Sequence, residues 1–270
     1  MKILNGSELA GFIKERQAHE VRGLRQAWDV TPKLAIVVTV EHPAIDVYMR
    51  MKGRYGDDIL VDVDVHRVAQ ADAPATIKAL NADPTVHGII VQLPLEDPSQ
   101  TDEIVNLVAP EKDVDALGKD AVLEPATPLA ILWLLAGYNI DLRGKKIVLV
   151  GRGKLVGAPL ERMLLASGYD VEVADSSTKD LFGMVSGADV IVTATGKPGL
   201  VTSAMIKEGT VVVDAGVAGE QGKTVGDLAE DVYDRTDLTI TPIKGGVGPL
   251  TICALFDNVI RAARATVKTS

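Results

Sequence analysis

From Ser7 to Trp28, apolar residues recur at helical spacing with charges between them, which predicts a leading helix with Ser7 and Glu8 at its start. The run KLAIVVTV, Lys33 to Val40, is apolar and β-branched after Pro32, the pattern of a buried parallel strand. Ala44 to Tyr55 reads as a helix on which Tyr48 and Lys52, four apart, share a face. ILVDVDVHRV alternates as a strand does, Ala73 to Ala82 is helical, and VHGIIVQLPL is a second buried strand ending at Pro94. Asp102 to Val108 predicts a short helix, and PEKDVDALGKD is a polar loop.

The periodicity lapses between Gly118 and Pro128, a passage between domains, and a helix resumes over Leu129 to Gly137. Strand, glycine-rich turn, helix and strand then follow within KKIVLVGRGKLVGAPLERMLLASGYDVEVAD, the size of one βαβ unit. ADVIVTATG, GTVVVDAGV and TDLTITPI supply further strands, and Pro249 to Val267 is an apolar-faced helix suited to pack back on the first half. Strands alternating with helices predict a parallel α/β architecture in both halves. No internal repeat or low-complexity tract interrupts it.

Composition narrows the partners. The chain has 270 residues, 47% hydrophobic, enough for one large or two modest cores. A net charge of -9 disfavours nucleic acid and anionic membranes, which need clustered cations, so small-molecule partners are expected. Cys253 is the single cysteine, which excludes an intrachain disulfide and a cysteine-held metal. With neither a signal-like segment nor an apolar run of membrane-spanning length, the expected location is the cytoplasm.

In VLVGRGKLVGAP the turn after the strand carries Gly151, Gly153 and Gly157, spaced GxGxxxG instead of the usual dinucleotide GxGxxG. Gly151 suits a tight turn, Gly153 allows backbone to approach a pyrophosphate, and the next helix aims its N-terminal amides at the phosphates. Asp175, ending the following strand, suits a ribose 2′-hydroxyl and hence NAD. Arg152 and the serines Ser176 and Ser177 suit a 2′-phosphate and hence NADP. The two signals conflict.

Tyr48, Lys52, Gln92 and Asp115 fall after successive strands or in the loop closing the first half, where open α/β sheets place ligands. Gln92 is the odd member, since an amide inside IIVQLPL needs partners if buried. These residues, with YMRMK, GIIVQLPL, PEKDVDAL, PATP, GRGKLVGAP, ATGKPG, VVVDAG, VGDL and TPIKGGVGPLT in that order, resemble the methylenetetrahydrofolate dehydrogenase/cyclohydrolase family along nearly the whole chain.

The resemblance implies an N-terminal α/β catalytic domain (1–118 plus 250–270) completed by the C-terminal helix, and a Rossmann-type parallel-sheet nucleotide-binding domain (119–249). It also implies a folate cleft between them and a homodimer. Lys52 would be the central catalytic residue, with Gln92 adjusting its protonation, Tyr48 against the folate ring and Asp115 holding the pterin. Val91, Leu93, Gly245, Gly246 and Gly248 would line the substrate site. Gly151, Arg152, Gly153, Asp175, Ser176 and Val217 would hold the cofactor, NADP with NAD as the alternative, while tetrahydrofolate carries the one-carbon unit. The competing readings are a dehydrogenase of another reduced pterin and a binding protein that keeps the fold without catalysis.

The chain departs from the family pattern in Ile45 for Ser, Ala116 for Gly, Ala126 for Cys, Gly153 for Ser, Lys244 for Pro and Leu250 for Met. Of these, Lys244 brings a new cation toward the expected folate site and Ile45 removes a hydroxyl. The balance between the two activities is therefore left open.

Overall fold

Two apolar runs form the spine of a three-stranded parallel sheet in the computed structural model, which describes residues 1–220 and 223–267. They are β2 (Lys33–Val38) and β4 (Gly88–Gln92), flanking strands in the order β3-β2-β4, with β3 at Asp62–Arg67. The central strand β2 is fully buried from Leu34 to Val37, which explains its unbroken apolar sequence. Edge strand β3 exposes Asp62, Asp64 and Arg67 and so alternates. In register, Val38 pairs with both Arg67 and Gln92, so the three strands end together.

The helices of this half are α1 (Gly6–Trp28), α2 (Pro43–Ile59), α3 (Ala73–Ala82) and α4 (Thr101–Val105). One core layer sets Ile77 and Leu80 of α3 and Ile104 and Val105 of α4 with Val37 and Val91. On the far side the carboxyl-terminal helix closes in. At Gly88 a Cβ would meet Val114 at 2.8 Å and Val259 at 3.1 Å, so glycine lets both approach β4. The Tyr55 hydroxyl donates to Gln17 at 2.7 Å, and Gln17 donates to the Cys253 carbonyl at 2.8 Å, tying three helices together.

The second sheet has six parallel strands: β1 (Lys2–Ile3), β5 (Ile147–Val150), β6 (Val171–Ala174), β7 (Val190–Thr193), β8 (Val211–Asp214) and β11 (Thr239–Ile240). Their order is β1-β11-β8-β7-β5-β6. The chain steps outward from β5 to β6 and then back to β7, so the winding reverses beside β5, the crevice where such sheets take ligands. Helices α5 (Ala126–Gly137), α6 (Gly157–Ala166), α7 (Leu181–Ser186) and α8 (Glu230–Tyr233) and a hairpin of β9 (Ala218–Glu220) with β10 (Lys223–Val225) complete this part. Helix α9 (Val247–Ala265) ends the described chain. Among the described residues no helix is long and apolar enough to cross a membrane.

The compact units are Met1–Ala10 with Thr127–Thr251, and Gly11–Ala126 with Ile252 onward. These bounds differ from the sequence-based ones at three places, the smallest being Leu250 and Thr251, which fall with the second sheet. Residues 1–10 join the second sheet because β1 pairs with β11, Lys2 opposite Thr239, a contact too short to leave a periodic signal. The segment after Gly118 stays with the first sheet, where both amide protons of fully buried Asn258 go to the carbonyls of Val114 (2.9 Å) and Glu124 (2.8 Å). Residues 268–270, assigned to the first domain from sequence, lie outside the described residues. The predicted helix start also moves. The Asn5 side chain, not Ser7, accepts from the Glu8 amide at 3.2 Å, and the helix begins at Gly6.

Replacing Asn258 by Ala strips two buried carbonyls of their donors, and urea unfolding is expected to show a loss of about 3 kcal/mol. Ala116, where the family pattern has Gly, adopts φ +54°, a left-handed conformation that costs an L-residue about 1–2 kcal/mol. Ala116→Gly relieves that cost but adds backbone entropy, for a net gain of about 0.5 kcal/mol in the same assay. An unchanged or lowered midpoint would contradict the strain at this position.

Candidate active site

Helix α2 carries Tyr48 and Lys52 one turn apart, and β4 ends at Gln92. The Lys52 Nζ donates to Gln92 Oε1 at 2.9 Å. The Gln92 Nε2 donates in turn to the Leu93 carbonyl at 2.8 Å, which keeps the amide oxygen turned toward the lysine. The amide inside an apolar strand thus has both ends satisfied. Burial pushes the Lys52 ammonium below its ordinary range, and the Asp115 charge opposes the fall. Burial likewise raises the Asp115 carboxyl, with Lys52 opposing. Tyr48 is 46% exposed, more open than a core helix position.

The loop before Asp115 is held at nearly every residue. The Lys112 carbonyl accepts from Ile89 on β4 at 2.7 Å, and its ammonium donates to the carbonyls of Leu80, Asn81 and Asp83. Asp113 is buried and accepts from the Gly118 amide at 2.8 Å; Val114 is pinned by Asn258. Among the described residues, nothing hydrogen-bonds to the Asp115 carboxylate. Asp113 and Lys112 in KDVD are therefore architectural, and Asp115 is the acid left available. Val91 is 3% exposed and packs in the core with Leu93 against its edge, so what Val91 offers a ligand is backbone. Ile45 is also buried, taking the place of the family's hydroxyl with apolar packing.

In the other unit, the turn after β5 has Gly151 at φ +110°, and a Cβ there would meet the Ala194 carbonyl oxygen at 2.5 Å. A Cβ at Gly157 would stand 2.0 Å from the Gly151 oxygen, while one at Gly153 would meet nothing within 4 Å. The outer glycines of GxGxxxG thus seat α6 on the turn, and the middle one borders open space. Arg152 is engaged in a two-pronged pair with Glu161 on α6, at 2.9 and 3.2 Å. Asp175 accepts from the amide and hydroxyl of Ser177, at 2.8 and 2.6 Å, which holds its carboxyl low, with Arg152 contributing. Ser176 is exposed and Val217 is 64% exposed.

Two acids that sequence reasoning quoted only within motifs organise the neighbouring loops. Asp227, fully buried, accepts from the amides of Thr195 (2.6 Å) and Lys197 (2.9 Å) and so shapes ATGKPG. Asp214 accepts from the amides of Gly216, Asp227 and Leu228 and from the Tyr233 hydroxyl. Their signal was an acid at the end of an apolar strand in VVVDAG and another within VGDL. In GGVGP, Gly245 has φ +82° and a Cβ would meet Ser7 Oγ at 2.6 Å, while a Cβ on Gly6 would meet the Gly246 oxygen at 1.8 Å. Gly245 and Gly6 are thus required by packing within the chain, a Cβ on Gly246 would press on Thr241 at 3.1 Å, and Gly248 faces open space. Lys244 is exposed.

Comparison with known proteins gives this arrangement a context. The family model for the tetrahydrofolate dehydrogenase/cyclohydrolase catalytic domain matches residues 4–115, and that for the same family's NAD(P)-binding domain matches 125–267. The bifunctional protein FolD of Moorella thermoacetica is 40% identical, covering 97% of this chain and 99% of its own. The crystal structure of the bifunctional dehydrogenase/cyclohydrolase FolD from Campylobacter jejuni superposes with a TM-score of 0.92 at 35% identity, covering 99% of this chain and 100% of its own. The Trypanosoma brucei dehydrogenase-cyclohydrolase, complexed with NADP cofactor and inhibitor, does so at 0.91 with 28% identity, over 99% and 98%. The chain belongs to the tetrahydrofolate dehydrogenase/cyclohydrolase family.

Proposed function

We propose that this chain oxidises 5,10-methylenetetrahydrofolate to 5,10-methenyltetrahydrofolate with NADP, then hydrolyses that product to 10-formyltetrahydrofolate. The observation that carries the reading is the buried Lys52–Gln92 pair beside an unbonded Asp115 in a member of this family. The family match supports the reaction class, and the Trypanosoma brucei relative's NADP complex supports the choice of cofactor. We extend the reading to a cytoplasmic homodimer, as the family resemblance implies.

Bound NADP accepts the hydride. The turn suits it: Gly151 holds the tight turn and Gly153 leaves backbone open to a pyrophosphate, Arg152 and Ser176 would offer donors to a 2′-phosphate, and Asp175 and exposed Val217 would hold the ribose and ring. On the folate side, Asp115 takes paired hydrogen bonds from the amino-pyrimidinone edge, and Tyr48 packs on or hydrogen-bonds the ring. The backbone at Val91 and Leu93 completes the substrate set in this unit.

In the hydrolytic step, water adds to the cationic methenyl carbon and must lose a proton. A lysine whose burial lowers its proton affinity gives up its proton more readily and can then take this one, and Gln92 Oε1 orients the amine by occupying an N–H. The same amine then returns a proton to N5 as the carbon–N5 bond breaks, while the carbinol hydroxyl gives its remaining proton to solvent, leaving the formyl group on N10. Oxidation asks less of Lys52, since it depends chiefly on holding the donor and acceptor carbons face to face.

Lys52→Met is therefore expected to cut hydrolysis about 100-fold or more while slowing cofactor reduction much less, so that methenylfolate accumulates in the assay. Equal loss of both steps would remove Lys52 from its role. The rate of hydrolysis at saturating substrate should rise with pH as Lys52 gives up its proton, on a limb below the ordinary lysine range. Asp115 holds that proton on, so Asp115→Asn should move the limb to lower pH. A limb that stays fixed or moves upward would refute the coupling.

A further inference from the structure

The Arg152–Glu161 pair lies in a cavity of about 550 Å³ whose charged lining is Arg152, Lys154, Glu161 and Arg162, over Pro159 and Leu165. Three cations meet one carboxylate there. Glu161 is the better buried partner, its side chain 18% exposed against 57% for Arg152, so the acid is the fixed member and the guanidinium the held one. The fork takes the Arg152 Nε and one terminal amino group, leaving the other terminal nitrogen for a ligand. Asp175 lies close enough for Arg152 to lower its carboxyl, so the guanidinium stands between two acids.

Resting on the reading of Arg152 as a 2′-phosphate donor, we propose that Glu161 is a positioning residue that sets how strongly this enzyme prefers NADP to NAD. It clamps Arg152 in place and at the same time offsets the positive charge that a 2′-phosphate requires. The clamp spares the ligand the cost of ordering a long side chain. A phosphate held by the remaining Arg152 nitrogen would lie within one guanidinium's width of the carboxylate, where like charges repel even under partial solvent screening. The net effect is a weakened preference for NADP, because the surviving geometry is the same for both cofactors while the charge acts on the phosphate alone.

The test is the affinity of the purified full-length protein for NADPH and for NADH, read from cofactor fluorescence without folate. Glu161→Gln keeps the shape and one acceptor but removes the charge, and is expected to tighten NADPH about 3- to 10-fold with NADH unchanged. Glu161→Ala, which also frees Arg152, is expected to give a smaller gain. Adding Arg152→Ala to Glu161→Gln should erase it. An unchanged NADPH to NADH ratio in Glu161→Gln, or a gain that survives loss of Arg152, overturns the proposal while the proposed function stands. A wild-type protein that binds neither nucleotide overturns both.

Discussion

An amine taken out of water is the constraint on which the first unit turns. A buried ammonium is costly, and the protein does not remove the cost by full neutralisation. Lys52 is given one hydrogen-bond acceptor, Gln92, and one nearby charge, Asp115, that keeps its proton affinity from falling without limit. Gln92 is satisfied at both ends of its amide, whereas the Asp115 carboxyl is itself raised by burial. Each group is useful because its environment leaves the other incompletely satisfied.

Such a balance survives only in a rigid frame. The strand ladder places Gln92 level with Val38, and the loop leading to Asp115 is bonded through Lys112, Asp113 and Val114 to β4, α3 and α9. The second unit solves a comparable problem with carboxylates alone. Asp214 and Asp227 gather backbone amides from loops on either side of β8, so the ends of buried strands are joined to one another and not left to solvent. In both units, buried polar groups spend their bonds on shaping loops, and few of them face outward.

How much of this could be read in advance follows from the range of each interaction. Helical and strand periodicity located β2, α2, α3 and β4, because burial on one face repeats along many residues. The spacing of Tyr48 and Lys52 put them on one face of α2, and Gln92 stood out as a polar break in an apolar strand. What the pattern could not convey was pairing between individual residues, near or far: Asn5 replacing Ser7 as a cap, β1 joining β11, Asn258 holding the Asp115 loop, Glu161 clasping Arg152. None repeats, so none leaves a period. The glycines of GGVGP were legible as a motif, but the reason for Gly245, contact with Ser7, lies more than two hundred residues away.

The pairing of Lys2 with Thr239 also bears on how the chain is made. The residues of β1 belong to a sheet whose neighbouring strand follows more than two hundred residues later, and the Asp115 loop waits for Asn258 in the same way. Neither unit is a continuous stretch, so vectorial synthesis cannot finish one before starting the other. Long-range closure of this kind is slow and leaves apolar strands uncovered meanwhile. Folding of each unit is therefore governed by when its distant segments are both present, more than by the order of the segments along the chain.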